Sequence, residues 1–129
     1  MWNKPDINVL LGKTVTAITG KVGDDEIIFT CDNGEQFKLY HSQDCCESVY
    51  VEDVIGDMAD LIGSPLLMAE EISYCNEDPD GITPPEYQND SFTWTFYKFA
   101  TIKGYVTIRW YGESNGYYSE SVYFREIDD

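Results

Sequence analysis

The side chains best suited to metal or nucleophilic chemistry in this 129-residue chain are one histidine and four cysteines, and three of them fall together: His41, Cys45 and Cys46 in HSQDCCES, with Cys31 and Cys75 elsewhere. Adjacent cysteines rarely serve one tetrahedral ion, there is no C-x-x-C pair, and the chain offers a single imidazole, so no metal centre is expected. A Cys45 nucleophile with His41 as its base needs a third, orienting group, and none can be identified. The expectation is a buried or half-buried thiol. The acidic run Glu77-Asp78-Pro79-Asp80-Gly81 does not match the ligand spacing of a helix-loop-helix calcium loop. Glycine-rich phosphate cradles are absent, and with 24 acidic residues a suggestive carboxylate pair can be found anywhere. The chain reads as a non-enzymatic protein with no cofactor.

A second constellation lies in Ser91 to Ile127, which concentrates the aromatics and both arginines. If Lys103-Gly104 is a two-residue hairpin loop, Lys98 pairs with Arg109, Phe96 with Tyr111 and Ala100 with Thr107 on one face, and Tyr97, Phe99, Ile108 and Trp110 gather on the other. The second set reads as core. The first, with Trp94 nearby, is a cation-and-aromatic surface, and like charges opposite each other on a sheet ask for an anion between them. Trp94, Phe96, Lys98, Arg109 and Tyr111 are therefore the candidate ligand-binding residues, with rings to stack on a flat base and cations to hold phosphate. A turn at Asn115-Gly116 would place Glu120 opposite Tyr111 and diagonal to Arg109, where a structural ion pair would explain Arg109 without a ligand.

Elements must carry these residues. Lys13 to Thr19 is β-branched and ends at Gly20. Glu26 to Cys31 and Glu35 to Tyr40 flank Asn33-Gly34, which suits a tight hairpin turn placing Thr30 opposite Phe37 and Ile28 opposite Leu39. Val51, Val54, Ile55, Met58, Leu61 and Ile62 recur at spacings of three and four, which predicts a helix, or two short ones split at Gly56, over about 51–62. Its acidic face is Glu52, Asp53, Asp57 and Asp60. Pro65 to Cys75 reads as a strand, and Asn76 to Asp90, with three prolines and five acids, as a long surface loop. Met1 to Asn8 is a flexible lead. The expected fold class is α+β: one domain over 1–129, antiparallel, with an N-terminal hairpin, the helical excursion and a C-terminal three-stranded meander from Ser91 onward.

Eight basic against 24 acidic residues give a formal net charge of −16. Such a field repels nucleic acid and anionic membranes and attracts a basic protein surface. The N-terminal stretch has only a short apolar run, so neither a signal peptide nor a membrane span is expected. Without an export signal the cysteines are expected to be reduced thiols in a cytoplasmic protein. The aromatic excess leaves room for a homo-oligomer.

LLGKTV at Leu10 to Val15, HSQDCCESVYVEDVIGD at His41 to Asp57 and TWTFYKFATIKGYVTIRWYGESNGYYSESV at Thr93 to Val122 resemble a family of small bacteriophage and prophage proteins built on a domain of unknown function. The resemblance spans nearly the whole chain. It implies a phage accessory protein in the bacterial host cytoplasm that acts by binding a host factor. Two classes follow: a sponge that counters host defence by sequestering a small nucleotide-type signal at the aromatic and arginine face, or an acidic nucleic-acid mimic that occupies the basic groove of a host nuclease or DNA-binding protein through Glu52, Asp53, Asp57 and Asp60. A virion structural or assembly partner is a third.

Overall fold

A computed structural model of the chain describes residues 6–79, 81–82, 91–116 and 118–127. Among these residues eight strands form two antiparallel sheets: β1 (Val15–Thr19), β2 (Glu26–Cys31), β3 (Gln36–Tyr40) and β8 (Tyr123–Glu126) in the order β1-β2-β3-β8, and β4 (Ser48–Ile55), β5 (Met68–Cys75), β6 (Ser91–Thr101) and β7 (Gly104–Ser114) in the order β4-β7-β6-β5. The helical content among the described residues is two 3-10 turns, Ile7–Leu10 and Met58–Leu61. The architecture is an all-β sandwich, which corrects the α+β expectation.

The β2–β3 hairpin shows how burial sets register. Its loop is Asp32-Asn33-Gly34, closed by hydrogen bonds from Cys31 N to Glu35 O (2.8 Å) and from Gly34 N to Cys31 O (3.1 Å), with Gly34 at φ +89°. One residue more in the loop than expected slides the pairing by one, so Phe29 faces Phe37 and Ile27 faces Leu39. Because side chains alternate along a strand, that slip places Ile27, Phe29, Cys31, Phe37 and Leu39 together on a buried face.

Residues 51–62 form no α-helix. Val49 and Val51 point inward from β4, and the register then skips from Val51/Trp110 to Asp53/Arg109, a bulge that returns Val54 to the inner face opposite Ile108. A bulge sets two residues against one, so Val51 and Val54 acquire a spacing of three without helical geometry. Gly56, at φ +106°, ends the strand. Asp57 Oδ1 then accepts the Ala59 N–H at 3.0 Å and caps the Met58–Leu61 turn, whose three residues per turn supply the next spacing of three and bury Leu61. Strand, bulge and 3-10 turn together imitate a 3.6-residue period. The acidic helix face carrying Glu52, Asp53, Asp57 and Asp60 therefore does not exist.

The β6–β7 hairpin turns at Ile102-Lys103, so Phe96 faces Arg109, Lys98 faces Thr107 and Ala100 faces Tyr105. This register differs from the expected one by two, which leaves each side chain on its expected face. Tyr97, Phe99, Ile108 and Trp110 are buried in the core as expected, and Phe29 meets Phe99 across the two sheets with ring centroids 5.4 Å apart. The C-terminal meander stops at two strands. After β7 the chain crosses to the other sheet, where β8 pairs with β3, and β5 is the neighbour on the far side of β6. Within the stretch expected to be a flexible lead, Ile7 is buried, as is Leu10 at the end of the same turn; residues 1–5 lie outside the described residues. The expected loop at 76–90 is described only at 76–79 and 81–82.

Candidate functional site

Residues at alternate positions of β6 and β7 present Trp94, Phe96, Lys98, Arg109 and Tyr111 on the outer face of the second sheet, as the period-two pattern requires. They do not form one continuous exposed surface. Trp94 and Tyr111 are each 1% exposed, with ring centroids 4.6 Å apart, and Tyr50 and Phe92 pack against Tyr111. Trp94 Nε1 donates to Asp78 Oδ1 at 2.9 Å, so the segment after β5 folds back over the indole. Arg109 lies over the Trp94 ring, 5.6 Å from its centroid. Its Nε donates to Glu52, and its Nη2 lies 3.4 Å from Asp53 Oδ2. The bulge in β4 is what brings both carboxylates to one guanidinium.

Glu120 does not face Arg109. It sits on the connection to β8 and accepts hydrogen bonds from Thr93 Oγ1 (2.8 Å) and Ser114 Oγ (2.5 Å). Of the other two acids of the expected partner-binding face, Asp57 caps its turn, and at Asp60 the main-chain carbonyl accepts from the Thr101 hydroxyl.

Phe96 and Lys98 line a groove of about 300 Å³ together with Ile55, Ile72, Tyr74, Pro79, Ile82 and Thr107. Tyr74 meets Phe96 edge to face at 5.7 Å, while Ile55 and Ile72 remain 47% and 37% exposed. Glu70 stands opposite Lys98 in the β5–β6 register, yet Lys98 makes no ion pair or hydrogen bond among the described residues. The groove thus combines an open apolar wall, two aromatic rings and one uncommitted cation. That chemistry suits a flat ligand bearing negative charge.

His41 and Cys45 belong to a different arrangement from the one their types suggested. The His41 ring is buried, with Nδ1 2.7 Å from Ser121 O and Nε2 2.7 Å from Glu47 Oε2, so an acceptor oxygen faces each ring nitrogen. Glu47 also accepts the Asp44 and Cys45 amides at 2.9 Å each. Burial pushes its carboxyl up, but the Cys45 amide, His41 and the Asp44 amide together outweigh that and hold it at about 2. This network pins the 41–47 loop to the β8 connection and leaves no nucleophile beside the ring. Cys45 and Cys46 are exposed and joined in a disulfide, which corrects the expectation of reduced, buried thiols at these positions. Cys31 is a buried free thiol, raised above its ordinary pKa chiefly by desolvation, and Cys75 an exposed one. Among the described residues, no group of three histidine, cysteine or acidic side chains is placed to hold a metal ion.

Sequence reasoning missed the roles of Glu47 and Glu120. Neither carries a motif, because each finds its partners across the fold. A signal for the second did exist: the inward positions of β6 at Ser91, Thr93 and Thr95 are hydroxyls where a sandwich strand should be apolar.

The chain is thus an antiparallel β-sandwich with a half-apolar groove on one outer sheet face. The chain belongs to the DUF7448 family, a domain of unknown function whose pattern matches residues 8–124. No curated protein and no solved structure shows significant similarity to it. No helix among the described residues is long and apolar enough to cross a membrane.

Proposed function

We propose that this protein is a non-enzymatic binding module that sequesters a small, flat, anionic ligand of nucleotide type in the outer groove of the second sheet. Lys98 carries the reading: it is a cation with no partner among the described residues, set beside Phe96 and Tyr74 on an apolar wall. Arg109 is a supporting residue here. Glu52 and Asp53 neutralise it, and it orders the Trp94 layer beneath the groove. The net charge of −16 opposes an anion at long range, but salt screens distant charges within ~8 Å, so Lys98 dominates at contact. A phage-encoded role against a host nucleotide signal in the bacterial cytoplasm, implied by the sequence resemblance, is part of the same proposal. The alternative of a nucleic-acid mimic seated on a basic host protein rests on the net charge alone, since Arg109 takes up Glu52 and Asp53, and Asp57 caps its own turn.

Thermal denaturation against a panel of cyclic and adenine nucleotides tests this. At least one should raise the melting temperature saturably, and Lys98→Ala should abolish the rise while leaving the far-ultraviolet spectrum unchanged. No shift across the panel, or an unchanged shift in Lys98→Ala, would reject the reading.

A further inference from the structure

The outer groove of the second sheet has a charge layout that limits what it can hold. Glu70, Lys98 and Thr107 stand in one row across β5, β6 and β7, and the next outward row is Ile72, Phe96, Arg109 and, on β4, Asp53. Directly opposed residues on neighbouring strands share a face, with Cβ atoms about 5 Å apart. Glu70 is exposed, so its carboxylate reaches the space around the Lys98 ammonium, although Lys98 makes no ion pair among the described residues.

Acids outnumber cations around this groove. Arg109 is taken up by Glu52 and Asp53, and Asp78, next to Pro79 of the groove wall, holds the Trp94 indole. With Glu70, four carboxylates among the described residues surround two cations. One phosphate oxygen can meet Lys98, whose ammonium has donors enough for it and for Glu70. A second negative charge on the same ligand finds no uncommitted cation there. It lies instead near Glu70, beside an apolar wall that weakens screening. Size sets a further limit, since about 300 Å³ is at the small end of ligand pockets and suits one nucleoside unit.

We infer that the groove selects its ligand by charge, taking a cyclic mononucleotide with one phosphodiester charge, and that Glu70 is the specificity-determining residue that turns away more highly charged phosphates; this rests on the nucleotide reading of the groove. A cyclic phosphodiester carries one negative charge, whereas a terminal phosphate carries close to two at neutral pH. Lys98 attracts both kinds. Glu70 opposes the second charge far more than the first, because the first is already met by the ammonium.

Calorimetric titration of the full chain at a fixed ionic strength of about 150 mM tests the selection. The ligands are matched pairs, the 3′,5′-cyclic monophosphate and the 5′-monophosphate of adenosine, guanosine, cytidine and uridine. At least one cyclic nucleotide should bind saturably and one to one, with its 5′-monophosphate about tenfold weaker. Glu70→Gln, at an exposed position, should strengthen 5′-monophosphate binding about tenfold, change cyclic binding by no more than about threefold, and so close most of the gap. Glu126→Gln, exposed on the first sheet, makes the same change in net charge and should leave the gap as it is. A gap that persists in Glu70→Gln, or that closes equally in Glu126→Gln, would overturn the proposal. A 5′-monophosphate as tight as its cyclic partner in the parent would overturn it too, and loss of that binding in Lys98→Ala would leave the nucleotide groove itself standing. Binding of no nucleotide would overturn both.

Discussion

Replacing Gly56 by alanine gives opposite signs for the observed strand end and for a helix over the same residues. In a helix interior the change would stabilise by about 1 kcal/mol, because alanine is the better helix former. In the observed structure Gly56 has φ +106°, and an added Cβ would lie 2.5 Å from the Tyr105 carbonyl oxygen and 3.3 Å from Val106 Cα. The backbone conformation costs a side chain about 2 kcal/mol. Displacing main-chain atoms of β7 adds roughly 1 kcal/mol more. The reduced freedom of the unfolded chain returns only about 0.7 kcal/mol. The net expectation is a loss of about 2–3 kcal/mol, which for a domain of this size lowers the melting temperature by about 10 °C. With a urea slope near ~2 kcal/mol/M, the midpoint falls by about 1 M. Equilibrium urea unfolding followed by tryptophan fluorescence reads this directly. A variant as stable as the parent, or more stable, would refute the strand, bulge and turn arrangement of residues 48–61.

Two further outcomes follow from the 41–47 loop and the thiols. The Glu47 carboxyl is depressed to about 2 in the folded protein from an ordinary 4.5, so below 4.5 the unfolded chain takes up the proton first. Its stabilisation is therefore complete above 4.5 and is lost as pH falls through about 2. The difference in urea midpoint between the parent and Glu47→Gln should shrink across that window, and a constant difference would contradict the network. Alkylation with intact-mass readout should add one label to the native, unreduced protein at Cys75, two after denaturation as Cys31 opens, and four after reduction of Cys45–Cys46. Three or more labels without reductant would exclude the disulfide.

Local chemistry in the sequence determined β1, β2, β3, β5, β6 and β7 as strands, the β6–β7 pairing by face, and the burial of Tyr97, Phe99, Ile108 and Trp110. Period two survives an error of two residues in register, which is why misplacing that hairpin loop cost nothing in face assignment. The same alternation put Phe96 and Lys98 on an outer face before any contact was known. Tertiary structure decided the rest, because the missing information was nonlocal. A bulge is stabilised by what lies across the ladder, so the Val51–Val54 spacing carried no mark distinguishing it from a helix turn until β7 was in place. The partner of Arg109 depended on which strand flanked β7, and β4 brought Glu52 and Asp53 where a third meander strand would have brought Glu120. Trp94 and Tyr111 were readable as outward-facing but not as covered, since Asp78 reaches the indole from a segment with no periodicity of its own. The Glu120 contacts formed only when the chain after β7 crossed between sheets, bringing its carboxylate to the Thr93 hydroxyl from 27 residues away.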